Sequence, residues 1–312
     1  LTNKAADFLA DNGYSEIMSN SLTKAAYYEG LSSYPAANCV RILNPLSVDL
    51  NVMRQTLLFN ALEAVALNAN RKNGNLKLFE LGNCYFYNEE AAEEGKPLAK
   101  YSEKYCIGIT VTGQDAAPSW NAKAAEASFY TLRATVEKLL RRFGIDIYSL
   151  RSESLDSDLY ADAIALMQGN KRVIEMGVVA PALMRRFDLK QPVYYAEIDF
   201  ELILRAAKKQ RITVEELSKF PEVKRDLALL VDKNVTFAEL RQIAFATEKK
   251  LLKRVTLFDV YEGDKLPEGK KSYALGFTLE DKSQTLNDKV IEKTMNNLQR
   301  QLETRAGAQV RS

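Results

Sequence analysis

Histidine is missing from all 312 residues. Its absence removes the Ser-His-Asp and Cys-His hydrolases, the HExxH metalloproteases and every other imidazole proton shuttle. Chemistry here would have to rest on Lys, Tyr, carboxylates or a bound metal. The simpler expectation is a chain with no catalytic residue of its own. Cysteine is scarce, and Cys39, Cys84 and Cys106 form no CxxC pair. Their spacing offers neither a zinc motif nor a disulfide framework, so no metal site is expected, and a reducing cytoplasm fits the usage. No cysteine follows position 106, which excludes an iron–sulfur cluster from the C-terminal third. Apolar runs stay well short of the ~18 residues that a membrane span needs, and no membrane partner is expected. GxGxxG and GxxxxGK[ST] are absent, leaving Rossmann and P-loop nucleotide sites without support. Charge of one sign is lacking too: 43 Lys and Arg face 41 Asp and Glu. From 219 to 312 the balance is 18 to 14, a tilt that a solvated mixed surface shows equally well. The chain opens on Leu1 rather than methionine and reads as a piece of a longer protein.

What is present is material for about two domains, with 46% hydrophobic residues. Residues 2–12 read as a helix stopped by Gly13, and Tyr14 to Thr23 as an entry strand and turn. Arg41 to Ser47 reads as a strand passing into an Asn44-Pro45 turn. A helix runs from Thr56 to about Ala69. Long strands at Leu76–Tyr87 and Tyr105–Thr112 enclose a charged loop. Ser128 to Phe143 carries Phe129, Leu132, Val136, Leu139, Leu140 and Phe143 at helical spacing. Strands near 163–168 and 173–179 flank a Gly169-Asn170 hairpin signal. A short helix follows at 181–187, then a strand leading into a helix from Tyr194 to Leu204. The polar run Arg205 to Leu217 is the best boundary.

From Lys219 the order becomes strand, helix, strand, strand, helix, strand. Thr236-Phe237-Ala238-Glu239 is a capping box that opens a helix placing Phe237, Leu240, Ala244 and Leu251 on one side. Val255–Tyr261 and Ser272–Leu279 alternate as strands across a loop rich in Gly and Pro. Thr285 to Asp288 caps a second helix, with Ile291, Met295, Leu298 and Leu302 on one face and Gly307 as a left-handed stop. Both helices packed on one side of the sheet would leave its other side bare. The fold class expected is α+β.

KFPEVKRDLALLVD, LFDVYEG, KKSYALGF, TLNDKV and GAQVR, in this order, resemble the ferredoxin-fold anticodon-binding domain of the bacterial phenylalanyl-tRNA synthetase β-chain family. The first half resembles the catalytic-like domain of the same family. The resemblance there rests on Asn44-Pro45-Leu46-Ser47, Met53-Arg54-Gln55-Thr56-Leu57-Leu58, Asn70-Arg71, Leu78-Phe79-Glu80-Leu81-Gly82, the Ser128–Leu140 helix and Phe187-Asp188-Leu189. It implies an antiparallel class II synthetase-like sheet with flanking helices at 1–205, a linker at 206–217 and a βαββαβ domain at 218–312. It also implies an α-chain partner in an α2β2 assembly, tRNA-Phe as a further partner, and ATP and magnesium for the whole enzyme but no cofactor here. Asn44, Pro45, Leu46, Ser47, Arg54, Thr56 and Leu57 correspond to the class II dimer motif and are expected at the subunit interface. An active core needs an arginine in a Phe-Arg-x-Glu strand to hold the ATP α-phosphate. Here Glu80 stands in that strand, and Glu201 aligns with a second such arginine, so this half is expected to be catalytically inactive.

Anticodon bases would stack on aromatic or guanidinium planes. The candidates are Phe258, Tyr261, Tyr273 and Phe277, with Lys224, Arg225, Arg254, Lys270 and Lys271 for phosphates. Strand alternation forbids all four aromatics from sharing the open face, and Arg225-Asp226 reads equally as an internal ion pair. A competing reading is a non-catalytic ferredoxin-like module for small-molecule sensing or protein contacts.

Overall fold

A computed structural model describes residues 1–208, 213–214 and 216–311. It divides the chain into two compact units, Leu1–Ile212 and Thr213–Ser312. The polar stretch expected as a linker lies partly outside the described residues.

The first unit begins with helix α1 (Thr2–Asp11), then short strands β1 (Ser15–Glu16), β2 (Leu22–Thr23) and β3 (Val52–Met53), and helix α2 (Leu58–Asn70). Next come β4 (Leu76–Tyr87), β5 (Tyr101–Thr112), the small hairpin β6 (Gln114–Ala116) and β7 (Ala125–Glu126), and α3 (Phe129–Arg142). The unit closes with β8 (Arg151–Ser154), β9 (Tyr160–Gln168), β10 (Lys171–Val179), α4 (Pro181–Arg186), β11 (Val193–Asp199) and α5 (Phe200–Ala207). Seven strands form one sheet in the order β1-β4-β5-β11-β10-β9-β8. All neighbours are antiparallel except β1 with β4. One face is hydrocarbon: Phe79, Ile107, Ile109, Val111, Met176 and Ile198 pack with Leu132, Val136, Leu139 and Phe200 from the helices. Ser128 caps α3 in a box with Thr131, two residues that satisfy each other's helix-start groups.

Three local expectations need correction. Residues 41–47 are irregular apart from an Arg41–Val52 bridge, because Pro45 has no amide to give a ladder. Strand β5 starts at Tyr101, not Tyr105. Its first four residues are exposed and polar, so nothing in their hydropathy marks a strand, yet Tyr101 pairs with Tyr87. The edge strand β8, Arg-Ser-Glu-Ser, carries no apolar signal either.

Across the other face of this sheet lies the buried ion pair Arg54–Glu80, with Nη1 2.6 Å from Oε1. Arg54 Nε also donates to the Asn83 carbonyl at 3.0 Å. Gly82 makes room for it, since any Cβ there would overlap the guanidinium.

The second unit has β12 (Val223–Asp232), α6 (Phe237–Thr247), β13 (Leu252–Tyr261), β14 (Lys270–Leu279), α7 (Asp288–Ala306) and β15 (Gln309–Val310). The sheet order is β13-β14-β12-β15, antiparallel throughout. Both helices lie on one face, where Leu229, Val231, Leu275, Phe277, Leu240, Leu298 and Leu302 form the core. Thr236 and Asn287 cap the helices, accepting from the Glu239 and Val290 amides. Gly307 ends α7 at φ 60°. Helix α6 stops at Thr247, so Leu251 lies beyond it, where β13 approaches.

Removing one partner of a buried ion pair strands the other charge. Glu80→Ala is therefore expected to cost the first unit about 3–5 kcal/mol. Arg54→Met combined with Glu80→Leu should recover most of that loss. Urea denaturation compares the three chains; a double variant as unstable as Glu80→Ala alone would show that the stranded charge is not the cause.

Candidate functional site

The other face of the first sheet carries a second apolar cluster, with Leu76, Leu78, Val179, Val193 and Tyr195 packed against Leu58, Leu62 and Val65, and within it three carboxylates stand in one row. Register places Glu80 beside Gly108, Gly108 beside Glu197, and Glu197 beside Glu175, and all three glutamates are buried. Donors come largely from the segment preceding α2. Glu80 Oε1 accepts from the Ser19 amide at 3.1 Å as well as from Arg54. Glu197 Oε2 accepts from the Thr56 hydroxyl (2.7 Å), the Leu57 amide (2.9 Å) and the Tyr195 hydroxyl (2.7 Å). Glu175 Oε1 accepts from the Tyr34 and Tyr160 hydroxyls, both at 3.2 Å, and Arg172 approaches its Oε2 at 3.2 Å. Burial, followed by the adjacent Glu197 charge, raises the Glu175 pKa above its ordinary value.

A cleft of about 140 Å³ opens over this row, with Tyr34, Gln55, Lys104, Arg172, Glu175, Glu197 and Asp199 in its wall. Glu80 is not in that wall. The expected clash between its charge and a nucleotide is corrected: Arg54 neutralises it inside the fold. Glu201 is also corrected. The strand ends at Asp199, which caps α5 by accepting from the Leu202 amide at 3.1 Å. Two residues later the chain has turned into helix, and Glu201 pairs with Arg205 at its partly exposed surface. The carboxylates that face the cleft are Glu175, Glu197 and Asp199.

The expected interface residues separate into two groups. Asn44, Pro45 and Leu46 are exposed and Ser47 is half-buried. With Leu43 97% and Leu46 102% exposed, and Val48 also exposed, this loop presents aliphatic side chains to solvent. Arg54, Thr56 and Leu57 are buried in their own unit and cannot reach a partner. They hold Glu80 and Glu197, or pack beside Cys84 and Cys106.

In the second unit, the helix-free face carries a groove of about 190 Å³ lined by Lys224, Asp226, Arg254, Thr256, Phe258, Gly276 and Thr278, among others. Gly276 is its floor: an added Cβ would lie 2.8 Å from Thr256 Oγ1 and 3.3 Å from Asp226 Oδ1. Phe258 faces the groove by alternation from Arg254 and Thr256, and a register shift between Leu257 and Asp259 makes it the extra residue of a bulge after which the parity of β13 reverses. Phe258 is 61% exposed, and Tyr261, opposite Ser272, is partly exposed. Tyr273 and Phe277 are corrected as base platforms. They alternate with Ala274 and Gly276 and so point to the helix side, where both are buried in the core. Lys271 shares their face; its Nζ lies 4.7 Å from the Tyr273 ring centroid. Arg225 stands opposite Phe277, so it too projects to the helix side, and its Nη1 donates to the Lys224 carbonyl at 2.9 Å. Asp226 alternates to the groove side, so the Arg225-Asp226 internal pair is not the geometry adopted. Lys270 ion-pairs with Asp232 at 2.8 Å. Lys224, Arg254, Phe258, Tyr261 and Lys270, the last held by Asp232, are the predicted residues that the fold leaves on the open face or its rim. Sequence reasoning missed Thr256, Gly276 and Thr278, for which alternation along β13 up to Phe258 and along β14 was the available signal.

The raised Glu175 pKa generates a pH prediction. A carboxyl that holds its proton more tightly when folded opposes folding as pH rises past the unfolded value. Glu175→Gln keeps an acceptor for both tyrosines and loses the charge. Its stability relative to the parent chain should grow from about pH 4 towards neutrality. Thermal denaturation across that range checks this, and a difference independent of pH would contradict it.

Residues 1–200 match the family model described as the phenylalanyl tRNA synthetase beta chain CLM domain. Residues 218–311 match the ferredoxin-fold anticodon binding domain. Phenylalanine–tRNA ligase beta subunits from Bacteroides fragilis and Bacteroides thetaiotaomicron are 51% and 50% identical over 312 residues, all of this chain and 38% of each relative. The corresponding subunit from Porphyromonas gingivalis is 44% identical over 304 residues, 97% of this chain and 37% of that protein. The chain thus spans well under half the length of these relatives. A solved pyrrolysyl-tRNA synthetase from Desulfitobacterium hafniense shares the fold, with a TM-score of 0.50 at 15% identity over 66% of this chain and 67% of that one. The sheet of the first unit, the βαββαβ order of the second and these matches agree: the chain belongs to the phenylalanyl-tRNA synthetase β-chain family.

Proposed function

We propose that this chain serves a phenylalanine–tRNA ligase by holding the anticodon region of tRNA-Phe on its second unit and docking an α chain through its first. The observation that carries the reading is the groove around Gly276. There an uncovered sheet face combines two cations, Lys224 and Arg254, with the exposed ring of Phe258. Splayed bases need flat apolar surfaces for stacking and cations for phosphates. Gly276 lets a planar base approach the strand backbone itself. Thr256, Asp226 and Thr278 supply hydroxyls and a carboxylate that can read base edges.

The first unit, taken functionally as residues 1–205, acts as a scaffold. Its cleft does not fit a triphosphate: Glu175, Glu197 and Asp199 face it together with Lys104 and Arg172, and anions set against phosphate oppose binding. Adenylate chemistry, with its ATP and magnesium, belongs in this reading to the α chain of an α2β2 enzyme in the cytoplasm. The exposed aliphatic loop Leu43–Val48 is the surface offered to that partner. Arg54, Thr56 and Leu57 contribute indirectly, by fixing the end of the segment that carries the loop.

Fluorescence titration with tRNA-Phe tests the groove. Loss of one stacked base costs about 1–3 kcal/mol, so Phe258→Ala should weaken binding roughly 5- to 150-fold. Arg254→Ala should lower the log–log salt slope by about 0.7–0.9. Phe277→Ala should instead cost about 3–5 kcal/mol of stability, as a core ring does. tRNA binding indifferent to Phe258→Ala and Arg254→Ala, with a natively folded chain, would overturn the assignment. ATP–pyrophosphate exchange by this chain alone would overturn the scaffold role.

A further inference from the structure

Two of the three cysteines meet at the wall of the cleft. Cys84 and Cys106 are 22 positions apart, but β4 and β5 run antiparallel with Cys84 opposite Lys104 and Cys106 opposite Gly82. They are therefore diagonal neighbours on the same face of the sheet. Glu197 follows on the adjoining strand, and its carboxylate oxygen and the two Sγ atoms all lie within 4.8 Å of one another. All three residues are buried, and Cys106 and Glu197 also line the cleft. We propose that Cys84, Cys106 and Glu197 form a binding site for a borderline-soft divalent cation of the zinc type, with the fourth position open to the cleft.

The donor set selects the metal. Two sulfurs and one carboxylate suit zinc, with Zn–S near ~2.3 Å and Zn–O near ~2.1 Å, whereas magnesium and calcium require an all-oxygen shell. Glu197 is prepared as a ligand. Three donors fix Oε2 in place, from Thr56, Leu57 and Tyr195, and Oε1 accepts no hydrogen bond among the described residues. An outer shell that orients a ligating carboxylate in this way is what a metal site needs.

Binding replaces protons. In the free chain the hydrogen bond with Cys106, and then burial, raises the Cys84 pKa; for Cys106 the same hydrogen bond lowers it, but burial and the nearby carboxylates outweigh that and leave it raised. One Zn²⁺ displaces two S–H protons, which leave to solvent, and forms two Zn–S bonds and one Zn–O bond. The complex carries one net negative charge, close to the cations Arg54 and Lys104 that already act on these thiols. No oxidant or reductant is involved.

The absence of histidine makes the test cleaner, since a tag-free chain offers a metal no imidazole to compete with the thiolates. Zinc titration of the reduced 312-residue chain should give one bound equivalent and two released protons. Cobalt in place of zinc should give thiolate-to-metal charge-transfer absorption in the near ultraviolet. Cys84→Ser or Cys106→Ser should weaken zinc at least 100-fold, while Cys39→Ser, at a cysteine outside the cluster, should leave it unchanged. Substoichiometric zinc, cobalt absorption without a thiolate band, or equal affinity in a Cys84→Ser/Cys106→Ser chain would overturn the proposal. Should either serine variant misfold, the parent chain's cobalt spectrum and its loss or retention in Cys39→Ser still decide.

Discussion

A carboxylate withdrawn from water must be met by donors, and that requirement organises the first unit. Glu80, Glu197 and Glu175 stand in one row on a single face of the sheet. Between residues 17 and 57 the chain has little regular structure to place it, with four residues in β2 and β3 and two short 3-10 turns. Tyr28, Tyr34, Cys39 and Val52 bury it in the apolar cluster of that face, and the row fixes it at defined polar points. Ser19 and Arg54 go to Glu80, Tyr34 to Glu175, and Thr56 and the Leu57 amide to Glu197. A hydrophobic face would have held a helix equally well. Fixing an irregular segment at defined points needs directional bonds, and charge-assisted ones are about twice as strong as neutral ones. Glycine serves the same end: Gly108, between Glu80 and Glu197, keeps a Cβ out of the space used by Tyr195 and Leu57.

The same requirement revises the electrostatic case for an inactive synthetase-like half. The sequence suggests repulsion by Glu80 and Glu201, yet one is neutralised internally and the other has turned onto a helix surface. The carboxylates that do face the cleft are Glu175 and Glu197, cross-strand neighbours, with Asp199 one alternation further along β11. A motif comparison aligns positions along a chain, while a cleft is lined by positions across strands, and only register relates the two.

That distinction also marks how much was legible beforehand. Helices α3, α6 and α7 were readable because polar starts at Ser128, Thr236 and Thr285–Asp288 coincide with 3.6-residue periodicity, although the residue that caps α7 is Asn287 rather than Thr285. The strand from Leu76 to Tyr87 was readable because its alternation is long. Elements on solvent-exposed edges, such as Arg151–Ser154 and Tyr101–Lys104, lack the hydropathy contrast on which such reading depends. Cross-strand relations were harder still. Nothing local brings Cys84 to Cys106, or Glu175 to Glu197. The parity of Tyr273 and Phe277 follows from alternation once one residue of β14 is known to face the core. Tyr261 does not follow, because the bulge at Phe258 changes parity midway along β13, between Thr256 and Tyr261.

In the second unit the constraint runs the other way, since a sheet with one bare face must remain compatible with water. Lys224, Asp226, Thr256, Ser272, Gly276 and Thr278 meet that need, and charged residues along the β13 edge discourage pairing with another sheet. A polar sheet face is therefore what solubility alone would select, which is why a modest basic excess in the sequence says little about RNA. Two features exceed that need. Gly276 sacrifices strand stability to keep a side chain off the strand, and Phe258, on the same face as Thr256, presents a large ring to solvent where a polar residue would be cheaper. Both raise the free energy of the isolated chain at the same spot, the lining of one groove. A partner that stacks on the ring and lies against the glycine would offset both, and a splayed nucleobase has the flat shape to do so.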